Sequence, residues 1–496
     1  MKNTLILTSV LAGILGGSSA LASPLLDSLN EGDLHQAMAL VKDGADVKAA
    51  QSNGTTALHL AVYNNDLDLV KALIKNGADV NTVNKYGSSP MSEAATLGDY
   101  DIMKALLDAG ADVNSANEYN QTALMIVVRS NNVDTAKLLI DRGADVNAVE
   151  TWQGQNAVIF AAAQSQPEML NLLLDAGADP NSRTIPNERD RYISAERRYQ
   201  WRAAGGISAL GYAGREGCLA CAQVLVEAGA DLDIGDIENV TPLNLAIMNM
   251  HFDTAKYLVE AGANVDKWSF RGENPLYSAV DANTIPHGGY PDRPSMDKTS
   301  SLELIGMLLE AGANPNLQLK LQPTHRSLKD DRGADRSLNT GATPLFRAAK
   351  GHDVEAIELL LAHGAHIDLP NRDGITPLMV AAGLGANSID TRGDYTTPFA
   401  DRNATNTVKA LAQAGADFQK TDRLQRTALH GAASWGWNDT ISALVELGAD
   451  LNAKDNSGLT AFDYAMGKRS GNAGRGVTGT VWPETAELLQ ELSLSN

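Results

Sequence analysis

Cysteine is scarce in this chain. Cys218 and Cys221 are the only two among 496 residues, which excludes a disulfide-dense scaffold and a multi-cysteine zinc module. Aromatic residues amount to 5%, so any place where they gather carries information. Basic residues are in deficit: 40 lysines and arginines face 60 aspartates and glutamates, a formal charge of −20. A surface of that sign repels phosphate backbones and argues against nucleic acid as a partner. No long apolar run follows residue 22, so no membrane insertion is expected of the remainder. The sequences G-x-S-x-G and H-E-x-x-H, the P-loop and the dinucleotide glycine fingerprint are missing. No cofactor and no catalytic residue is therefore expected, and the chain is read as non-enzymatic.

The first 22 residues stand apart. Lys2 precedes an apolar stretch from Leu5 to Leu15, and Ala20-Leu21-Ala22 supplies a small-residue cleavage pattern. The stretch is short for a membrane span, and no cysteine at the cut invites a lipid anchor. Residues 1–22 are expected to be a signal peptide cleaved after Ala22, giving an exported bacterial protein, periplasmic or secreted.

What the chain has in abundance is a spaced triplet. Gly-Ala-Asp or a close variant begins at Gly44, Gly77, Gly110, Gly143, Gly177, Gly229, Gly262, Gly312, Gly364, Gly415 and Gly448. The intervals are 33, 33, 33, 34, 52, 33, 50, 52, 51 and 33 residues. A period near 33 predicts a stack of helix–turn–helix units, and the longer intervals predict units with insertions. In residues 54–84, Thr56 is placed to cap a short helix carrying Leu58, Ala61 and Val62. Thr241-Pro242, Thr343-Pro344 and Thr376-Pro377 put proline at the first helical position, where its missing N–H costs nothing. Asn64-Asn65-Asp66 reads as a turn, and Leu69, Val70, Leu73 and Ile74 have the spacing of a second amphipathic helix. Gly77 ends it in the left-handed conformation that glycine adopts without a Cβ clash.

In its T-P-L-H-x-A-like start, its two helices and its closing G-A-D-V-N, this unit resembles the ankyrin repeat. The resemblance covers nearly all of the chain after residue 24. It implies an all-α solenoid of about twelve units with short β-hairpin-like fingers. Residues 23–50 would form the N-terminal capping unit and 54–182 the regular repeats, with 483–496 as closing helix and tail of the single domain 23–496. It also implies a protein-binding scaffold that engages its partner through fingertips and inner helices, and here a monomer. His59 and His430 take the family's histidine position, where the ring braces the loop between repeats.

The insertions are chemically unlike the scaffold. Segments 183–204, 284–300, 317–340, 385–404 and 467–482 hold 18 basic and 11 acidic residues, leaving −27 on the rest. Segments 183–204 and 317–340 follow a second helix and extend the fingers, whereas the other three fall between the helices of a unit, at the opposite edge. The first contains Arg189, Arg191, Tyr192, Arg197, Arg198, Tyr199, Trp201 and Arg202, the residue types that dominate binding hot spots. A surface helix with paired arginines is the plainer reading. Finger aromatics Tyr86, Tyr119, Trp152, Trp268 and Phe270 extend the candidate partner-binding set. At the far edge, Trp435, Trp437, Trp482, Tyr395 and Phe399 form either a small pocket or a local satellite core. The pocket reading makes the chain a small-molecule-binding or redox-accessory protein instead.

Three states remain open for Cys218 and Cys221: a disulfide, two packed thiols, or a redox or metal role. Other matches carry less. His363 and His366 lack further metal ligands nearby, so no metal site is expected. Asp231, Asp233 and Asp236 lack the glycine and glutamate of a calcium loop. Ser295-Met-Asp-Lys298 matches S-x-x-K without its companion motifs.

Overall fold

The computed structural model describes residues 23–186, 205–284, 295–321, 337–386, 397–469 and 479–495. Among them are 24 helices and no strand, falling into twelve successive pairs from Pro24–Glu31 with Leu34–Lys42 to Ala461–Ala465 with Pro483–Ser495. The expected all-α repeat architecture is present. The chain divides into two compact units, Met1–Thr151 and Trp152–Asn496, each described by itself.

In the first unit the repeat logic is visible at one pair. Thr56 caps the inner helix Ala57–Tyr63, which buries Ala57, Leu58, Ala61 and Val62. Asp66 ends the turn and caps the next helix: its carboxylate accepts the Leu69 N–H at 2.9 Å at the start of Leu67–Lys75. That outer helix buries Leu69, Val70 and Leu73, and the chain leaves it through Gly77 at φ 89°. Each such apolar side chain contributes about 1.5–3 kcal/mol on burial, but only against a neighbouring pair. Inner helix Ala57–Tyr63 accordingly packs on Pro90–Leu97, and that on Ala123–Arg129; the outer helices stack in the same order.

The fingers are short and hairpin-like, each closed by a tight turn. Isolated bridges join Ala50 to Thr56 and Ala116 to Thr122, and no ladder develops. The reason is a side chain at the root: Asn84 Oδ1 accepts the N–H groups of Tyr86 and Ser88 at 2.9 and 3.0 Å. Asn117 does the same for Tyr119 and Gln121. Successive fingers still touch through the main chain, where Lys85 N–H donates to the Asn53 carbonyl and Thr151 N–H to Tyr119. A second link lies beneath. Asn81 Oδ1 accepts the Asp112 N–H at 2.8 Å while its Nδ2 donates to the Gly110 carbonyl. Asn114 repeats this clasp on Asp145 and Gly143.

The second unit keeps the clasp across its insertions. Asn181 receives the Asp231 N–H, Asp266 the Asn314 N–H, and Asn316 the His366 N–H, each at 2.7–2.8 Å. Finger insertions close at their bases: Thr184 N–H donates to Ile207 O, and Leu319 exchanges bonds with Ala342 and Gly341. At the other edge, the helix Ala400–Gln413 begins inside segment 385–404, and Trp482 N–H ties the end of 467–482 to Ala465.

A fully enclosed ion pair lies in this unit. Arg347, wholly inaccessible on helix Pro344–Lys350, donates from Nε to Asp281 Oδ1 at 2.6 Å on helix Pro275–Asn283. Removing one member strands charge in an apolar stack. Arg347→Ala is therefore expected to lower unfolding free energy by about 3–5 kcal/mol, read from urea melts.

The histidines set an acid limb. His59 Nδ1 accepts the Thr56 N–H and so carries no proton, while Nε2–H donates to the Ser88 carbonyl. His430 does the same between Thr427 and Leu459. Burial lowers both pKa values, and it lowers that of His352 to about 4. Because the unfolded chain takes these protons near pH 6.5 and the folded chain does not, stability is full above that pH. It is lost as pH falls from about 6.5 towards 4. Thermal melts across this range should show the fall, and His352→Asn should flatten part of it.

Candidate functional site

The finger aromatics are exposed because the root residues spend the backbone donors locally and turn the following side chain outward. In the first unit Tyr86 is 67% exposed and Tyr119 is 54% exposed. Glu118, hydrogen-bonded to the Tyr119 hydroxyl, raises that phenol above the usual tyrosine value. In the second unit Trp152, Trp268 and Phe270 are exposed, Phe270 at 63%. Its N–H donates to the Glu238 carbonyl of the preceding finger. Trp268 passes its carbonyl to Asn239 Nδ2 at 2.7 Å.

Sequence reasoning missed one member of this group. Lys320 Nζ stands 3.0 Å over the Trp268 ring centroid, a cation–π contact. Lys320 belongs to segment 317–340, and its N–H donates to the Arg271 carbonyl, which returns the insertion's base to the neighbouring finger. Spacing along the chain does not reveal that closure. Exposed Ile185 and Ile237 were missed as well, since lone aliphatics carry no motif. Arg189, Arg191, Tyr192, Arg197, Arg198, Tyr199, Trp201 and Arg202 lie outside the described residues, as does Tyr395.

At the far edge the tryptophans are engaged in packing. Trp437 is 4% exposed and stacks on Trp435 with ring centroids 6.0 Å apart, and His352 meets it edge-on. Trp435 Nε1 donates to the Gly383 carbonyl and Trp482 Nε1 to the Ser434 carbonyl, at 3.0 and 3.1 Å. Arg469 joins them, donating to the Ser434 carbonyl and lying over Tyr464. Phe399 is exposed, with Arg402 over its ring. The three indoles thus fill space between units of the repeat. Trp437→Ala should cost about 3–5 kcal/mol in urea unfolding, as a vacated aromatic site does.

Cys218 and Cys221 are joined by a disulfide at the start of helix Leu219–Glu227. Other sequence matches resolve into scaffold. Ser295 Oγ donates to the Met250 carbonyl, and Lys298 N–H goes to Asp253. His363 Nδ1 is bonded to its own helix at Leu359 O, while the His366 N–H enters the clasp. Asp233 accepts the Asn264 N–H, and Asp236 accepts Glu238 and Val240 at a finger root. Among the described residues, no group of three His, Cys, Asp or Glu side chains is arranged for a metal. No helix among them is long and apolar enough to cross a membrane.

A family model described as ankyrin repeats (3 copies) matches residues 25–117, 111–184, 210–319, 298–390 and 399–473. The chain is similar to a putative palmitoyltransferase ZDHHC13 of Danio rerio, 27% identical over 252 residues, covering 50% of this chain and 31% of the relative. It is 30% identical over 184 residues to the ankyrin repeat protein nuc-2 of Neurospora crassa, covering 37% and 14%. The chain thus spans less than a third of the length of these curated relatives. Of solved structures, the human ASB11 ankyrin repeat domain matches with TM-score 0.40 and 21% identity over 49% of this chain and 99% of that one. The ankyrin repeat domain of Bcl-3 matches with TM-score 0.39 and 28% identity, covering 48% and 100%.

Proposed function

The chain belongs to the ankyrin-repeat family, and from that premise we propose that it is an exported, non-enzymatic scaffold that binds an envelope or periplasmic protein through its fingertips. The protein–protein interaction role is the general one for such repeats. The observation that carries the finer reading is the exposure of Tyr86, Tyr119, Trp152, Trp268 and Phe270 in a chain with so few aromatics. Aromatic side chains bring large contact area at small entropic cost, and they concentrate where partners dock. Tyr119 with Glu118, and Trp268 with Lys320, add polar groups that fix orientation. The arginine–aromatic stretch Arg189–Arg202 and the inner helices are added to the partner-binding set in this proposal. Lys2, the apolar stretch to Leu15 and the Ala20-Leu21-Ala22 cut support export.

The alternative of a small-ligand pocket at Trp435, Trp437 and Trp482 has less support, because their indole groups are spent on carbonyls and on each other.

The test is a crosslinked pull-down from the native envelope fraction, comparing the wild-type chain with two variants. In one, Tyr86, Tyr119, Trp268 and Phe270 are replaced by serine; in the other, Arg197 and Arg198 become glutamate. Both should fold with unchanged melting temperature, the replaced fingertips being exposed. The fingertip variant should lose the specific partner by tenfold or more, about 1.4 kcal/mol or above. Equal recovery by the wild type and both variants would refute this siting.

A further inference from the structure

The second helix of a repeat is capped here by a carboxylate in four sister pairs: Asp33, Asp66, Asp99 and Asp353 each accept an N–H three residues on, at 2.9–3.1 Å. In the pair Ala209–Glu216 with Leu219–Glu227 that position is Cys218, and its Sγ accepts the Cys221 N–H at 3.2 Å. A sulfur therefore occupies the place where those four pairs put a carboxylate. It faces the positive end of a nine-residue helix.

The two sulfurs differ in access. Cys218 is half-buried, and Cys221 is fully enclosed in the stack. A second side chain borders the residue that precedes Cys218. The His251 imidazole lies against Gly217, the residue before Cys218, so closely that a Cβ at Gly217 would be 2.3 Å from its Nδ1. Only glycine leaves room for the ring there. His251 makes no side-chain hydrogen bond to the described residues.

We propose that Cys218–Cys221 is an exchangeable disulfide that oxidises a dithiol, with Cys218 as the exchanging sulfur and Cys221 as the resolving one. A thiolate of the dithiol attacks Cys218 Sγ. The bond to Cys221 breaks as the mixed disulfide forms, and the electron pair leaves on Cys221 Sγ, which takes up a proton. The second thiol of the substrate, deprotonated with His251 as acceptor, attacks its partner sulfur in the mixed disulfide. That closes the substrate's own disulfide and releases Cys218 as a thiolate. Two electrons pass from dithiol to protein, and the proton balance closes through His251 and solvent.

Two features favour exchange over a purely structural bond. A link between residues three apart constrains the unfolded chain least, so folding gains little from it. Reduction also leaves the helix capped, since Cys218 Sγ already accepts the Cys221 N–H as the aspartates do elsewhere. A thiolate held at a helix N-terminus stabilises the reduced form, which makes the disulfide the oxidising partner.

The full chain is equilibrated with dithiothreitol and, separately, with glutathione buffers of graded ratio, then acid-quenched and labelled with maleimide for mass counting. The native chain should pass from no label to two within the glutathione range, with an unchanged circular dichroism spectrum. Cys221→Ser should trap one glutathione on Cys218. His251→Phe should slow reduction several-fold at pH 7 while leaving the end-point unaltered, and an unchanged rate would remove the imidazole from the step. A pair that stays oxidised at hundredfold excess of reduced glutathione, and yields only after urea unfolding, would overturn the proposal. This outcome is independent of fingertip binding.

Discussion

From Gly77 onward, successive repeats are held by a carboxamide or carboxylate four residues beyond the triplet glycine. Asn81 and Asn114 grip the third triplet residue of the next unit through its N–H, and in return donate to the triplet glycine's carbonyl. The grip is worth little singly, because it is exposed and exchanges for water. Its effect is geometric: it fixes the spacing of units while the apolar faces of the helices supply the energy. It also explains why insertions are tolerated. Asn181 reaches Asp231 and Asn316 reaches His366 with about fifty residues between them, yet the bond has the length found in uninterrupted repeats. The chain may wander only after the clasp residue and must return before the next triplet.

Fold was legible in the sequence because the signals that set it are local. A threonine before Pro242, Pro344 or Pro377, a glycine at the helix end, and the apolar spacing between them each act within one turn. The turn residue Asp66 was harder, since a polar residue between helices reads equally as loop or as cap. The clasp was invisible, because an asparagine on a surface turn has no periodicity of its own and its partner lies in the next unit. The hairpin-like fingers stay short for a similar reason: Asn84 and Asn117 take donors that a longer ladder would need.

The candidate site was legible in part. Exposure at Tyr86 and Tyr119 fits their place two residues after a finger root, while Trp268 and Phe270 flank the root residue Ser269. Lys320 over Trp268 did not follow, since it depends on how an insertion closes. The far-edge tryptophans show the limit of composition as a guide. The repeat register groups Trp435, Trp437 and Trp482 at one edge, but that grouping states nothing about whether their ring nitrogens face a cavity or a carbonyl. Both bonded indoles reach carbonyls of a neighbouring repeat, as Asn132 reaches Gly98 in the first unit. Bulk there replaces a short polar tie.

The acidity of the scaffold has the same structural logic. Next to the start of a second helix, an aspartate from an adjacent repeat takes up backbone donors. Asp253 accepts the N–H groups of Lys298 and Thr299 and the Thr299 hydroxyl. Burial would raise its pKa, but these bonds outweigh it and hold the carboxyl below its usual value. Asp401 does the equivalent for Asp439 and Thr440. Negative charge is thus concentrated where helix N-termini point, and each carboxylate so used is satisfied by backbone donors. The −20 of the whole chain is therefore partly a count of caps and clasps. Much of it is directed inward at the protein's own backbone, whereas the finger aromatics are turned to solvent.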